Sequence, residues 1–425
     1  MGNGKLYILF ICLIVFFTGC KKVSQPSSES TSGIKMYGDR YGDILRSFKP
    51  TADGGYVFGG FTNTSANKGE QGFIQKCNKN GTETWFQTYG GANQEIFNIV
   101  EPTSDGGFIA AGSSGPSYYQ DSAYILKTDG QGIVLWQKYF PGNLLGAYFY
   151  DVKETPDHGF AAIGFCYAIN ENPLYIVRLD QNGDSLWTRK IVNSKHNFVG
   201  ASVAIGPNGE IAIASSLQDW SDNICYPYFT YLSPDSTATI LQKSYSSIGA
   251  IPWSNNGNTW QYGASTNFEK IISQSDGFIF IMSTDVQALV GNPACIHCGN
   301  PLSITLFKID FSGKLQWSHS YRDMGNIVVF NDAVSTQSGG LLISGGAVDS
   351  AGTNYCWLMN TDANGGRLSQ YFIPIYGTKS WAVGAKNTGD TYNIGLTTVP
   401  LRTNRVGYFG FLTTDLNGKI IDRTN

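Results

Sequence analysis

The fold class this sequence predicts is all-β: a seven-bladed β-propeller of four-stranded antiparallel blades. Three observations predict it. A tryptophan follows a glycine in Gly81-Thr-Glu-Thr-Trp85, Gly132-Ile-Val-Leu-Trp136 and Gly183-Asp-Ser-Leu-Trp187, spaced 51 residues apart, and again in Gly313-Lys-Leu-Gln-Trp317. About thirty residues before each place in that series stands a turn landmark: Asp53-Gly-Gly-Tyr, Asp105-Gly-Gly-Phe, Asp157-His-Gly-Phe, Asn208-Gly-Glu-Ile, Asp276-Gly-Phe-Ile, Ser338-Gly-Gly-Leu and a degenerate Thr388-Gly-Asp-Thr. Composition agrees, with 51 glycines, 14% aromatic residues and only 14% charged ones, the bias that short strands, tight turns and aromatic cores produce. A period near 50 residues marks a repeat array, and the landmarks count seven units.

The elements follow in chain order. Residues 1–19 hold one basic residue, Lys5, and an apolar run from Tyr7 to Phe17, fit for a secretory leader and too short to span a bilayer. The run ends in Phe17-Thr18-Gly19-Cys20. Small residues before a cysteine resemble the bacterial lipobox, which implies cleavage after residue 19 and acylation of Cys20. Phe17 departs from the leucine usual at its place. The other reading is an ordinary signal peptide with an incidental Cys20. Three acyl chains exceed the two signals that stable anchoring needs, so the lipobox reading makes the membrane a partner through the N-terminal lipid. Residues 20–33 are polar and Ser-rich and read as the lipidated cysteine and a flexible tether, with the propeller occupying 34–425. Lys21 after the cysteine favours the outer membrane in the enterobacterial pattern; periplasmic and surface display both stay open.

Beyond residue 19 the chain keeps 28 basic and 32 acidic residues, one basic residue fewer than the whole chain's 29. That weak balance argues against nucleic acid, which requires clustered Lys and Arg.

Each unit breaks into four apolar runs, in the second unit Ile96–Pro102, Gly107–Ser113, Ala123–Lys127 and Ile133–Phe140. The Asp-Gly-Gly turn joins the first pair, because glycine accepts the positive φ of a tight hairpin. The second turn reads Asp129-Gly-Gln-Gly132, Asp180-Gln-Asn-Gly183, Asp310-Phe-Ser-Gly313, Asp362-Ala-Asn-Gly365 and Asp415-Leu-Asn-Gly418. Its Asp bonds back to its own backbone and its Gly closes it in the left-handed region. These carboxylates fall short of the six to eight oxygens calcium takes, so no metal site is expected. Trp85, Trp136, Trp187 and Trp317 are assigned to the outermost strand as packing between blades. Ile240, Gln370 and Asp422 fill that place in the three weaker copies. Ile34-Lys-Met-Tyr37-Gly38 matches the end of a fourth strand, as in Gln87-Thr-Tyr89-Gly90. It is expected beside a C-terminal strand at Gly418–Arg423, closing the ring and leaving no sheet edge open.

This pattern resembles the Bacteroidetes lipoproteins built from Asp-Gly-Gly…Trp propeller repeats, over about residues 38 to 425. Gly313-Lys-Leu-Gln-Trp317 after Asp310 is also similar to the tryptophan-docking motif of quinoprotein dehydrogenases, whose resemblance implies a quinone and a metal at the axis. Neither a vicinal cysteine pair nor a Glu/Asn/Asp metal set accompanies it here, and no cofactor is expected.

Strand alternation places both tight turns on one face and the longer, aromatic connections on the other, where function concentrates. The candidate binding face comprises Tyr118, Tyr119, Tyr148, Tyr150 and Trp220, together with two insertions in the fifth unit. One insertion carries Trp253, Trp260 and Tyr262; the other carries Cys295, His297 and Cys298. Trp and Tyr beside amides suit a sugar ring or a protein partner, and a self-packed lid is the structural alternative. Cys295 and Cys298 read as a local disulfide, and Cys166 and Cys225 as a second candidate pair. Cys77 and Cys356 are expected free and buried.

No catalytic residue is assigned, since no Gly-x-Ser-x-Gly, His-Glu-x-x-His or phosphate-binding loop occurs. The function this supports is a non-enzymatic, lipid-anchored envelope module that binds a protein or glycan. The alternative is an envelope enzyme, a quinoprotein-like oxidoreductase or a glycan lyase or hydrolase, with its site at the propeller mouth. Inward Asp, Glu, His or Arg near the axis would favour the enzyme; an aromatic, weakly charged rim would favour binding.

Overall fold

Seven four-stranded antiparallel sheets are formed, and among the described residues there is no helix. The computed structural model describes residues 33–421, apart from 39–41, 64–68, 92, 117–120, 143–145, 167–171, 194–195, 220–224, 246–264, 286–302, 322–326, 350, 376–377 and 401–406. Six sheets take four consecutive strands each, and we number these blades one to six in chain order. Blade seven combines Thr378–Asn387, Thr391–Pro400 and Tyr408–Asp415 with Ile34–Tyr37 from the other end of the chain. The second blade, read as four runs in sequence, consists of Gln94–Pro102, Phe108–Gly115, Ser122–Thr128 and Val134–Pro141.

Local chemistry produces the turns. In blade one the Asn78 carboxamide oxygen accepts from the amides of Asn80 and Thr82. Asp129, Asp180, Asp310, Asp362 and Asp415 repeat this two-bond cap. The closing glycines sit at φ between 71° and 82°. At the other hairpin His158 takes φ 61° where its sister blades use glycine. The Asp of that hairpin is held by a cation on the third strand: Asp53 by Lys76 at 2.8 Å, Asp105 by Lys127 at 2.8 Å, Asp157 by Arg178 and Asp276 by Lys308. Those carboxylates are thus occupied by the blade's own side chains.

The core consists of seven apolar clusters, each straddling two neighbouring blades. Around its rim each fourth strand reaches the next blade's second turn. Trp85 Nε1 donates to the carbonyl of Gly130 at 3.1 Å, Trp136 to Gln181 at 3.2 Å and Trp187 to Pro234 at 3.0 Å. A Cβ on Gly132 or Gly183 would lie within 3 Å of the tryptophan ring beneath it, so glycine is also a packing requirement there. Four residues after Trp85, Tyr89 Oη donates to the Gly132 carbonyl at 2.8 Å, and Tyr245 and Tyr321 do the same to Gly313 and Gly365.

In two of the three weaker copies the register differs from the sequence count by one residue; Asp422, named for the third, lies outside the described residues. Leu241, not Ile240, occupies the tryptophan place, because the turn from Ser233 to Ala238 is one residue longer than that from Asn78 to Thr82. Ser369, not Gln370, pairs with Asn360 where Trp85 pairs with Lys76.

The seam also differs in detail. Ile34–Tyr37 pairs with Phe409–Leu412, while Ile420 bridges Thr414 and the Ile421 amide bonds to the Thr413 carbonyl. The two chain ends therefore lie end to end along one edge rather than side by side. Both need the same row of backbone partners, and each takes half of it.

Candidate functional site

The first strand of each blade lines the axis: Asp43–Pro50, Gln94–Pro102, Ala147–Glu154, His196–Ile205, Ser265–Gln274, Ile327–Ser335 and Thr378–Asn387. Every one carries a β-bulge midway, between Leu45 and Ser47 in blade one and near the matching place in the others. A bulge breaks the simple alternation and re-aims the side chains on either side of it. The channel consequently has two halves of different chemistry.

Below the bulges, toward the tight-turn face, pairing register defines two tiers. The first holds Ser47, Ile99, Asp151, Ser202, Lys270, Asp332 and Gly384. Two residues on, about 7 Å nearer the tight turns, stand Lys49, Glu101 and Lys153 from blades one to three. These residues form one alternating ionic chain. Asp151 meets Lys153 at 3.2 Å, and Lys153 bonds Glu101. Glu101 lies 3.6 Å from Lys49, which reaches Asp332 at 2.8 Å, and Asp332 bonds Lys270. The negative end is capped by neutral donors: Ser202 Oγ at 2.7 Å, the Val203 amide at 3.1 Å and the Val152 amide at 2.9 Å, all on Asp151. Ser202 Oγ in turn accepts from the Ile271 amide at 3.3 Å, which brings the circuit back beside Lys270.

Electrostatics follow from position in the chain. Burial alone would raise Asp332, but the ammonium groups of Lys270 and Lys49 overcome it and hold the carboxyl at about 2. Burial would lower Lys49, yet Asp332 and Glu101 together push it up. Lys270 goes the other way. Burial, aided by the nearby charges of Lys49 and Lys153, brings it down to about 8 despite Asp332 and Glu101. The two lysines share Asp332, and the difference has a simple cause: Lys49 touches two acids and Lys270 touches one.

Above the bulges, toward the long-connection face, the described inner strands carry aromatic and aliphatic side chains beside polar ones such as the buried Asp43 and Glu95 and the exposed Lys379. Ile44, Tyr150 and Val329 are exposed, and Tyr148 and Trp381 are half-buried. Tyr148 and Tyr150 meet edge to face at 5.7 Å, and Tyr150 meets Phe165 at 5.5 Å. The exposed Arg46 stands over the Phe61 ring at 5.6 Å.

The sequence reading placed Tyr148 and Tyr150 in a connecting loop. They instead begin the inner strand of blade three, where alternation sends Phe149 into the core and the two tyrosines outward. Tyr118, Tyr119, Trp220, Trp253, Trp260, Tyr262, Cys295, His297 and Cys298 lie outside the described residues, as do Cys20 and the tether. Cys166 is buried, and the side chain of its candidate partner Cys225 is likewise outside them. Cys77 and Cys356 are free and buried. Among the described residues no three His, Cys, Asp or Glu side chains come together as a metal site.

Sequence reasoning missed the ionic chain. A faint signal existed: Lys49, Glu101 and Lys153 each stand four residues before the turn landmark, and Asp151, Lys270 and Asp332 six before it. Even spacings share a strand face, but only the ring brings blades one and six within contact.

Comparison with solved structures agrees with this architecture. An ulvan lyase of a polysaccharide lyase family, bound to a glucuronic acid–sulfated rhamnose segment, superposes with a TM-score of 0.52 at 6% identity, covering 91% of this chain and 95% of that one. The chain is a seven-bladed β-propeller. The propeller domain of the trilobed protease of Pyrococcus furiosus gives 0.48 at 8% identity over 92% and 97%. A Dyadobacter fermentans protein of unknown function gives 0.47 at 10% identity over 90% and 97%. No family model matches the sequence. No curated protein matches it either.

Proposed function

We propose that this propeller is a non-enzymatic glycan-binding module of the bacterial outer membrane, anchored through an acylated Cys20. One observation carries the binding reading: the inner strands present aromatic side chains toward one mouth, above a floor where each of six charges meets at least one opposite charge. Sugar rings stack on exposed aromatic faces; Tyr150 is exposed at this mouth, with Tyr148 and Trp381 half-buried on the same side of the bulges. The ulvan lyase of the same fold is bound to a glycan, which supports sugars as a ligand class for this architecture. A protein segment is the competing ligand.

A glycan array probed with the purified protein tests the reading, with Tyr150→Ala and Trp381→Ala as controls. Binding that falls about tenfold or more in either variant supports it. Silence across the array, or binding indifferent to both variants, removes it. For the anchor, mass spectrometry of the N-terminal peptide should find acyl chains on Cys20, and Cys20→Ala should release the protein from the membrane.

The enzyme alternative draws on the inward charges, which do converge at the axis. Each of the six is paired with an opposite charge, however, and a general acid or base needs a group free to exchange its proton with substrate. Cleavage of a bound glycan by the purified protein would reverse this ordering.

A further inference from the structure

Six charges in an alternating chain have two unlike ends. Every interior member touches two opposite charges. Asp151, the negative end, compensates for its missing neighbour with three neutral hydrogen-bond donors. Lys270, the positive end, has no such compensation: among the described residues its single ionic partner is Asp332, and Asp332 is shared with Lys49. Its ammonium is thus under-compensated while its side chain is only 13% exposed, the condition under which an unmatched charge costs most.

Position matters as much as charge. Lys270 stands in the upper tier, nearer the aromatic mouth than the tier of Lys49, Glu101 and Lys153. Arg46, exposed at the bulge itself on the inner strand of blade one, adds a second cation beyond this tier. A ligand entering from the long-connection face passes Tyr148, Tyr150 and Trp381 before meeting the open end of the ionic chain.

We propose that Lys270 is an anion-accepting subsite and that the ligand of this mouth is an acidic glycan, held through a uronate carboxylate. The proposal rests on the glycan reading above and adds the chemical class of the sugar. A carboxylate there would give Lys270 the second acid that Lys49 and Lys153 already possess.

Titration gives the inference an independent readout. Burial lowers Lys270 most, the charges of Lys49 and Lys153 add to that, and Asp332 and Glu101 oppose it, which leaves it at about 8. A bound carboxylate favours the ammonium, so binding takes up a proton, is strongest below about pH 8 and weakens as the amine loses its charge above it.

Calorimetric titration of the purified protein with oligogalacturonate and with its methyl ester, which keeps the rings and removes the charge, decides the matter. The acid should bind about tenfold tighter than the ester, a charge-assisted contact against a neutral one. Its affinity should drop several-fold between pH 7 and 9. Lys270→Met should abolish the preference for the acid; Lys270→Arg should retain it and lose the pH dependence, because a guanidinium stays charged. Equal binding of acid and ester, with the Tyr150 dependence intact, overturns the carboxylate subsite and leaves the glycan reading standing. So does a preference that persists in Lys270→Met. No binding of either ligand overturns the uronate subsite, and silence across the glycan array as well overturns both. If Lys270→Met fails to fold, the pH profile of Lys270→Arg against the parent decides, and an unchanged profile overturns the inference.

Discussion

The interface between blades one and two and the interface between blades seven and one perform the same task with different parts. The first joins covalently continuous sheets, and Trp85, Tyr89 and a shared apolar cluster hold them. The second must hold two ends of a chain. There Ile34–Tyr37 supplies the missing fourth strand, and Tyr37 donates to the Gly81 carbonyl as Tyr89 does to Gly132. Lys35 adds a bond to the Asn80 carbonyl at 2.8 Å. Counting back four residues from Tyr37, as from Tyr89 to Trp85, reaches Gly33, so the seam has no tryptophan clasp. What it has instead lies at the axis. Gly384 stands in the upper tier of blade seven, and Lys49 of blade one bonds Asp332 of blade six past it, joining residues 283 positions apart. The seam is therefore locked twice, at the rim by a strand and at the axis by an ion pair. A repeat array that must close replaces covalent continuity with long-range contacts at that one interface.

Deleting residues 34–38 tests the rim lock and should have the largest effect. It removes a whole strand and the Tyr37 ring, which packs 5.4 Å from Phe58 and 5.5 Å from Phe409. Loss of a partly buried aromatic together with the pairing of a four-residue strand should cost about 3–5 kcal/mol in chemical denaturation. Unchanged stability would mean that the axis lock suffices.

Lys49→Met tests the axis lock. Removing one partner of a buried pair leaves Asp332 and Glu101 under-compensated, at a cost of about 3 kcal/mol, whereas adding Asp332→Leu and Lys270→Met in the same chain removes the orphaned charges of that arm and should recover part of the loss. Acid should act on the same pair. Asp332 is held at about 2 in the folded chain, below the roughly 3.9 of an unfolded aspartate, so its contribution is present above about pH 4 and lost as pH falls toward 2. Acid unfolding of Lys49→Met should show a smaller loss across that window, as one of its two cations is gone. Equal acid sensitivity in both proteins would assign the effect to other carboxylates, such as Asp53 and Asp105 at the turns, which are also held at about 2.

The smallest test is the sharpest. Tyr37→Phe and Tyr89→Phe remove equivalent hydrogen bonds at the seam and at a continuous interface, each worth about 1 kcal/mol. Equal losses would show that the seam imitates an ordinary interface. A larger loss at Tyr37 would show that the closing strand depends on it more.

Much of this was legible in the chain alone. Turn chemistry is local: an Asp or Asn that caps its own turn and a glycine at positive φ need only their neighbours, so seven landmarks counted seven blades. The rim tryptophans were legible too, because their period is that of the turns they cover. Register slipped at Leu241, where the turn is one residue longer, and at Ser369, where two successive glycines, Gly365 and Gly366, follow the turn and no tryptophan marks which one to count from.

Sequence by itself determined the module, its number and the residues of each turn, because those depend on contacts within a few positions of one another. Tertiary structure decided what lies at the axis. Lys49, Asp332 and Lys270 are ordinary charged residues along the chain, and closing the ring is what brings their strands together. Only then do they become a chain with a capped end and an open one, since Coulomb energy depends on distance in space and the sequence records only distance along the backbone.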